Sequence, residues 1–320
     1  MRRLLFLFLL LCAAPAWSAC TVSTVNGAFG TVTSFVLNAG AQTTTGRLVV
    51  RCDAILNLLT NDSITLTLTG ATVTATNRAA MKRSDNAAIT DTIPVRLCGQ
   101  ANCANNSEIN IGGNSYTWSG AALLELLGSR TYTLPLYFMT VPGQNVSAGP
   151  YQVTLNFSVA YDVCANGVLG ICFSSQKGTA LTSLLLTGTI TNDCTTISAP
   201  NVNFGSAPLV RNFPTVSQSV SITCTKGSSY TVGINNGLYA NGSVRNMASG
   251  TNRLSYEIYK AGTTSRWGSI GAERWASSAS SQMSADGLLR TYNYTARVLT
   301  TQMTPPGGTY SDTLTVDIVF

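Results

Sequence analysis

Hydrophobic and polar residues alternate in short runs along most of the chain, which is the pattern of half-buried β-strands. The clearest run places six side chains on one face: Tyr151, Val153, Leu155, Phe157, Val159 and Tyr161. Helical spacing is confined to residues 121–127. We therefore predict an all-β fold.

The pattern occurs twice, and the second copy is shorter. The first copy carries Cys20, Phe29-Gly30, Cys52, Arg130-Thr131-Tyr132 and Gly149-x-Tyr151. The second carries Cys194, Phe204-Gly205, Cys224, Arg290-Thr291-Tyr292 and Gly308-x-Tyr310. Only the first copy continues into another alternating segment, with Leu184, Leu186, Gly188 and Ile190. We predict two immunoglobulin-like β-sandwich domains, of which the C-terminal one lacks its last strand.

This repeat sets the predicted boundaries. Residues 1–18 are a secretory signal peptide, with Arg2 and Arg3 before an apolar run and small residues at its end. Ser18-Ala19-Cys20 leaves a lipoprotein signal as an alternative. Residues 19–180 form the N-terminal domain, 181–193 a donor-like strand or linker, and 194–320 the incomplete C-terminal domain.

The missing strand predicts an open edge in the second domain, because a half-lined core must be filled by a strand from outside. The acceptor edge would consist of Leu314, Val316, Ile318 and Phe320. In the first domain, the alternating segment at 184–190 is expected to fill the corresponding place from within the chain. A plain linker is the alternative for that segment.

Charge and histidine content narrow the class of protein. Of 19 basic residues, Arg2 and Arg3 lie in the signal peptide, which leaves 17 against 13 acidic residues. This mild excess is not typical of nucleic-acid binding. The chain has no histidine, which excludes Ser-His-Asp catalysis and histidine-based metal sites. We expect neither enzyme activity nor a cofactor.

Eight cysteines follow the predicted signal peptide, and an even number in an exported chain indicates disulfides. Pairing in sequence order fits the repeat best. The predicted pairs are Cys20 with Cys52, Cys98 with Cys103, Cys164 with Cys172, and Cys194 with Cys224.

Three apolar clusters lie in the connections of the first domain. They comprise Ile55, Leu56, Leu58 and Leu59; Leu123, Leu124, Leu126 and Leu127; and Val168, Leu169, Ile171 and Phe173. They follow the second, fourth and sixth predicted strands, so strand alternation brings them to one end of the domain. Together they predict a surface that binds apolar material. The alternative is that they fold inward as core.

Several motifs resemble the spore coat U domain family, which builds the subunits of archaic, Csu-type chaperone–usher pili. They are Cys-x8-Phe-Gly at 20–30, Arg245-Asn246-Met247, the segment 254–259, Trp267-Gly268 and residues 305–320. The resemblance extends throughout the second domain and is looser in the first. A two-domain chain of this kind is similar to the tip adhesin of such a pilus.

The resemblance implies a function and a set of partners. A subunit of this family is held by a periplasmic pilus chaperone, passes an outer-membrane usher and is completed by a strand of the adjacent pilin subunit. The chain would be exported through the periplasm to the cell surface, at the pilus tip. There its N-terminal adhesin domain would attach to a hydrophobic surface or an unknown receptor and support biofilm formation. Cleavage beside Cys20 would leave no strand to donate, as expected for the last subunit of a fibre.

Two other functions are consistent with the sequence. One is a self-assembling spore-coat or matrix structural protein. The other is a carbohydrate-binding, lectin-like adhesin that uses Tyr116, Trp118, Trp267 and Trp275. Aromatic residues of this kind also serve as core in β-sandwiches.

Overall fold

The structure is a computed structural model that describes residues 20–52, 62–120, 123, 127–128, 131–168 and 171–320. The predicted signal peptide lies outside the described residues. So do seven members of the apolar clusters: Ile55, Leu56, Leu58, Leu59, Leu124, Leu126 and Leu169. The described part consists mostly of antiparallel strands, which confirms the all-β prediction. None of its helices is long and apolar enough to cross a membrane.

The chain divides into two compact units. Unit 1 contains the described residues up to Val32, together with Val36–Gln144 and Gly149–Ile190. Unit 2 contains Thr33–Phe35, Asn145–Ala148 and Thr191–Phe320. Each unit has its own sheets and its own buried core.

Thirteen strands are described up to Thr191. They are β1 (Thr21–Val25), β2 (Gly27–Thr33), β3 (Thr43–Arg51), β4 (Ser63–Ala71), β5 (Thr74–Ala75), β6 (Arg78–Arg83), β7 (Thr92–Cys98), β8 (Glu108–Ile109), β9 (Tyr116–Ser119), β10 (Leu127–Gly128), β11 (Thr131–Thr140), β12 (Gly149–Val168) and β13 (Ile171–Thr191). One short α-helix, α1 (Ser34–Ala39), and a 3-10 helix (Ala101–Asn106) accompany them.

Strand β12 is central to unit 1, because it pairs with strands on both of its edges. One edge pairs with β6 at Tyr151 and then with β4 over residues 155–162. The other edge pairs with β13, from Gly149 opposite Ile190 to Val168 opposite Ile171. β13 in turn neighbours β2 in the sheet order.

The segment predicted to complete the first domain is part of β13. Leu184, Leu186, Gly188 and Ile190 are all buried. β13 runs without interruption from Ile171 to Thr191, so the predicted boundary between 180 and 181 falls inside one strand. This segment therefore fills the core of unit 1 beside β12.

The segment containing β1 and β2 lies on the other side of β13. The Thr24 hydroxyl donates a hydrogen bond to the Ser183 carbonyl, and the Leu185 amide donates to the Asn26 side chain. Both contacts join residues 159 positions apart. This constant separation means that the two segments run parallel.

Unit 2 contains nine described strands in two sheets. They are β14 (Cys194–Ser198), β15 (Val216–Cys224), β16 (Thr231–Ile234), β17 (Arg245–Ser249), β18 (Asn252–Lys260), β19 (Trp275–Ala276), β20 (Gln282–Met283), β21 (Leu289–Val298) and β22 (Val316–Val319). Three 3-10 turns span Val210–Asn212, Gly271–Glu273 and Ser277–Ala279. One sheet has the order β14-β15-β21-β18-β17, with β20 beside β21, and the other β19-β16-β22. The core of unit 2 contains Trp267, Val232 and Tyr292, all of them fully buried.

Four disulfides join the cysteines in sequence order. Cys20–Cys52 and Cys194–Cys224 span 32 and 30 residues, so each unit has one long-range bond of similar length. Cys194 and Cys224 also face each other across β14 and β15. Cys98–Cys103 and Cys164–Cys172 close short loops in unit 1.

Candidate strand-acceptor groove and hairpin tip

The last strand of unit 2 has one open edge. β22 pairs with β16, from Val316 opposite Ile234 to Val319 opposite Thr231, and within the described residues β16 is its only strand partner. Just before β22, Ser311 forms a single bridge with Ala248 of β17. Residues 311–319 thus contact both sheets of unit 2.

A groove of about 460 Å³ lies along this open edge. Residues 310–314 with Val316 line one part of it, and residues 199–202 with Phe204 line another. Its other lining side chains come from the core: Val220, Ile234, Met247, Tyr256, Ile258, Tyr294 and Ala296. Apolar core is therefore accessible between two segments that are not paired with each other.

The predicted acceptor-edge residues lie along this groove and its continuation. Leu314, Val316 and Ile318 are partly buried and pack against the core of unit 2, and the first two also line the groove. Phe320 is 57% exposed, and its ring lies edge-on to Tyr230 with 5.9 Å between the ring centroids. These side chains face the core but are incompletely covered.

In unit 1 a strand occupies the corresponding place. Counting from the tyrosine of each Gly-x-Tyr motif, the equivalents of the four acceptor-edge residues are Leu155, Phe157, Val159 and Tyr161. All four pair with β13, and all are buried. Tyr161 is 6% exposed, whereas Phe320 is 57% exposed. The groove of unit 2 therefore lies where unit 1 holds β13.

The groove contains one carboxylate, that of Asp312. The Tyr256 hydroxyl donates to Asp312 Oδ2 at 2.7 Å, and the amides of Leu238 and Thr313 donate to Oδ1 at 2.9 and 2.8 Å. Burial and the hydrogen bond to Asp312 raise the pKa of the Tyr256 phenol well above its usual range. The pair places a polar contact inside a largely apolar channel.

A buried ion network holds the two sheets of unit 2 together beside the groove. Arg245 of β17 has no exposed surface; it binds Glu257 and donates to the carbonyl oxygens of Ile234 and Trp267, each at 2.8 Å. Arg266 also forms a salt bridge with Glu257, with 2.7 Å between Nε and Oε2. Burial lowers the pKa of the Arg245 guanidinium, and Glu257 counteracts this. Arg245 thus links β17 to the end of β16, the two strands that contact residues 311–319.

Strands β12 and β13 form a hairpin that extends beyond the pairing of β12 with β4. The pairing of β12 with β4 stops at Asp162, whereas its pairing with β13 continues to Val168. The Cys164–Cys172 disulfide closes this outer part. Ile171 and Phe173 are 61% and 70% exposed there. Two predicted surface residues therefore lie exposed on this outer part of the hairpin. We call it the hairpin tip and define it as residues 163–168 and 171–175.

The other described members of the apolar clusters lie differently. Leu123 is completely buried, so its side chain is core and cannot contact a ligand in this conformation. Its burial corrects the expectation for this residue, and the physical reason is that a large apolar side chain is more stable when its own domain covers it. The structure describes only the backbone of Leu127 in β10 and of Val168 in β12.

Other ligand sites find little support in the described residues. Trp118, Trp267 and Trp275 are buried, and Trp267 packs edge-on against Trp275 with 5.0 Å between centroids. Tyr116 lies edge-on to Trp118 at 4.8 Å and accepts a hydrogen bond from Gln100. These aromatic side chains have a structural role, so the residues proposed for sugar binding are not available to a ligand. No group of three or more metal-binding side chains occurs among the described residues.

Comparison with known proteins places these features in a family. A family model described as the Spore Coat Protein U domain matches residues 6–158 and 180–317. The chain is similar to the CsuE tip adhesion subunit in its pre-assembly complex with CsuC, from archaic chaperone–usher Csu pili of Acinetobacter baumannii. The two are 25% identical over 94% of this chain and 100% of that one, with a TM-score of 0.55.

A second solved structure, the CupB6 tip adhesin from Pseudomonas aeruginosa, is 12% identical over 94% of this chain and 93% of that one. Its TM-score of 0.37 is too low to carry an argument. No curated protein matches the sequence.

Proposed function

Because this chain belongs to the Spore Coat Protein U domain family, we propose that it is the tip adhesin of a chaperone–usher pilus. The similarity to CsuE, a tip subunit captured with its chaperone, supports this proposal. Unit 2 anchors the protein to the fibre by accepting a strand from the adjacent pilin subunit. Unit 1 attaches the cell to an apolar surface and thereby promotes biofilm formation.

The observation that carries the anchoring role is the groove of unit 2. It exposes Leu314 and Val316 in the place where unit 1 covers Leu155 and Phe157 with β13. A strand inserted there would pair with the open edge of β22, which is the geometry of β-augmentation. Before assembly, a periplasmic chaperone would cover the same edge, and an outer-membrane usher would then pass the subunit to the surface.

A self-complemented chain tests the anchoring role. A copy of residues 178–191 is fused after Phe320 through a short flexible linker, so that it can fold back antiparallel to residues 310–320. We expect the fusion to accumulate as a soluble monomer in the periplasm without a chaperone, while the unfused chain does not. The matched control carries the same extension with Leu184→Asn and Ile190→Asn in the copied segment, and it should behave like the unfused chain. Equal yields of all three proteins would contradict the proposal.

The attachment role rests on the hairpin tip. Ile171 and Phe173 are exposed, and burying such a side chain against an apolar surface contributes roughly 1.5–3 kcal/mol. Association costs offset much of this gain, so a single tip binds weakly. Many pili on one cell would provide avidity. The target is therefore an extended hydrophobic surface rather than one shaped ligand.

Attachment of piliated cells to polystyrene tests this role. The variant Ile171→Thr with Phe173→Thr is expected to reduce attachment several-fold. Ile270→Thr with Met303→Thr is the control, since these residues are 72% and 92% exposed but lie in unit 2. Immunoblots of sheared pili should show equal assembly in all strains. Unchanged attachment of the hairpin variant would exclude the hairpin tip as the binding surface.

A further inference from the structure

We propose that Asp312 determines which strand the groove of unit 2 accepts. A strand binds more tightly when it presents a hydrogen-bond donor, such as the hydroxyl of Ser or Thr, beside the Asp312 carboxylate. This inference rests on the strand-acceptor function proposed above and specifies the chemistry of the partner.

Asp312 occupies an inward position of the groove wall. Tyr310, Leu314, Val316 and Ile318 pack against the core of unit 2 at alternate positions of the same segment. Asp312 falls in this alternation and is partly buried in the groove, whereas its neighbours Ser311 and Thr313, which also line the groove, are exposed. A carboxylate side chain therefore occupies a position at which the alternation of this segment predicts an apolar residue.

Unit 1 identifies the neighbour that this position receives from an inserted strand. The equivalent of Asp312 is Val153, counted from the tyrosine of each Gly-x-Tyr motif, and Val153 pairs with Leu186 of β13. Both side chains are buried. Side chains of directly opposed residues lie about 5 Å apart on one face of a sheet. The residue that a donor strand places opposite Asp312 will therefore contact its carboxylate.

The carboxylate has capacity for one more hydrogen bond. An ionised carboxylate accepts about four, and Asp312 receives three, of which Oδ1 takes two. Gly237 approaches the carboxylate closely: a Cβ there would lie 2.0 Å from Oδ2, and its φ is +85°, so this position requires glycine. If Asp312 turned outward, its hydrogen bonds from the Leu238 amide and the Tyr256 hydroxyl would be lost.

An inserted strand removes water from this site. An apolar residue opposite Asp312 would leave the charged oxygen without its remaining partner, which is unfavourable in a buried position. A hydroxyl or a cation would supply the missing donor. Hydrogen bonds to charged groups contribute enough to change affinity by about tenfold or more.

Peptides that copy residues 178–191 provide the test. The full mature chain is refolded with the unmodified peptide, with L186T or with L186V, and the dissociation constant of each complex is measured. Thr and Val have nearly the same shape, so they differ in the hydroxyl alone. We expect the L186T peptide to bind about tenfold more tightly than the L186V peptide. The Asp312→Val chain carries the residue that unit 1 has at the equivalent position. To this chain, the L186V peptide should bind more tightly than the L186T peptide.

The outcomes separate this inference from the proposed function. If the L186T and L186V peptides bind equally well to the wild-type chain, Asp312 does not select the strand, although the groove accepts one. If no peptide binds, both proposals fail. Should Asp312→Val not refold, Asp312→Asn provides the second variant, and loss of the preference for Thr is the supporting result. An unchanged preference in that variant would overturn the inference.

Discussion

The Asp62 carboxylate accepts a hydrogen bond from the Tyr132 hydroxyl at 2.6 Å, and both residues are buried in unit 1. The other oxygen of Asp62 accepts the backbone amide of Cys164 at 2.8 Å. Asp62 therefore ties β11 to the point where β12 leaves the sheet and enters the hairpin tip.

Removal of this carboxylate should destabilise unit 1. Asp62→Ala leaves the Tyr132 hydroxyl and the Cys164 amide buried without their partner, so we expect a loss of about 2–4 kcal/mol in the free energy of unfolding. Tyr132→Phe should lose about 1–2 kcal/mol. Urea unfolding with hydrogen exchange resolved by unit provides the measurement. Tyr137→Phe is the control, because this side chain is only partly buried, and an equal effect of Tyr137→Phe and Tyr132→Phe would contradict the assignment.

Alkaline pH should weaken unit 1 through the same residue. Burial and the hydrogen bond to Asp62 raise the pKa of the Tyr132 phenol in the folded state well above the value of about 10 for an unfolded chain. The unfolded state therefore loses its proton first, and the stability that this tyrosine contributes is present below about pH 10 and lost above it. Stability measured from pH 8 to pH 11 should fall less steeply in Tyr132→Phe. If stability falls equally steeply in Tyr132→Phe and in the unmodified chain, Tyr132 is not the source of the pH dependence.

The hairpin tip should depend on its own disulfide. Cys164–Cys172 joins residues eight positions apart, for which the chain-entropy model gives about 2.5 kcal/mol. Replacing both cysteines by Ser should accelerate amide exchange over residues 163–175, while residues 155–162 remain protected by their pairing with β4. Replacing Cys98 and Cys103 by Ser is the control and should leave exchange in the hairpin unchanged. Faster exchange throughout β12 would mean that the hairpin is not an independent part of the strand.

Arg245 should be essential for the stability of unit 2. Arg245→Met leaves Glu257 with one fewer cation and the carbonyl oxygens of Ile234 and Trp267 without their donor. We expect a loss of about 3–5 kcal/mol. Arg253→Met, on an exposed arginine of β18, should change stability by less than about 0.5 kcal/mol. Thermal unfolding of the strand-complemented fusion measures both variants, and equal midpoints would refute the role of the network.

Much of the fold follows from the repeated pattern. The alternating run from Tyr151 to Tyr161 became β12, and burial on one face of a strand is what such alternation encodes. Register was harder to predict. Tyr132 pairs with Val50, two residues before Cys52, but Tyr292 pairs with Val220, four residues before Cys224. The two Arg-Thr-Tyr motifs are therefore not equivalent in space, because neighbouring strands rather than a short motif set the register.

The site was only partly predictable. Spacing alone identifies an apolar residue near a turn but does not decide its exposure, as Leu123 and Phe173 demonstrate. The role proposed for Asp312 had a visible signal, a carboxylate at an inward position of an apolar run. Arg245 was visible only as part of the motif Arg245-Asn246-Met247, which does not reveal its role, and Asp62 gave no signal, because the partners of both residues lie on other strands.

Strand β13 also has a mechanical consequence. Its 21 residues span roughly 70 Å as one extended segment, from the exposed Ile171 to Thr191, the first residue of the longest segment of unit 2. Tension between a bound surface and the fibre would run along this segment. Because β13 is already extended, its covalent backbone carries this tension and its hydrogen bonds to β12 are not loaded. We expect unit 1 to withstand higher force when pulled through residues 171 and 191 than through 149 and 191, as single-molecule force spectroscopy can measure.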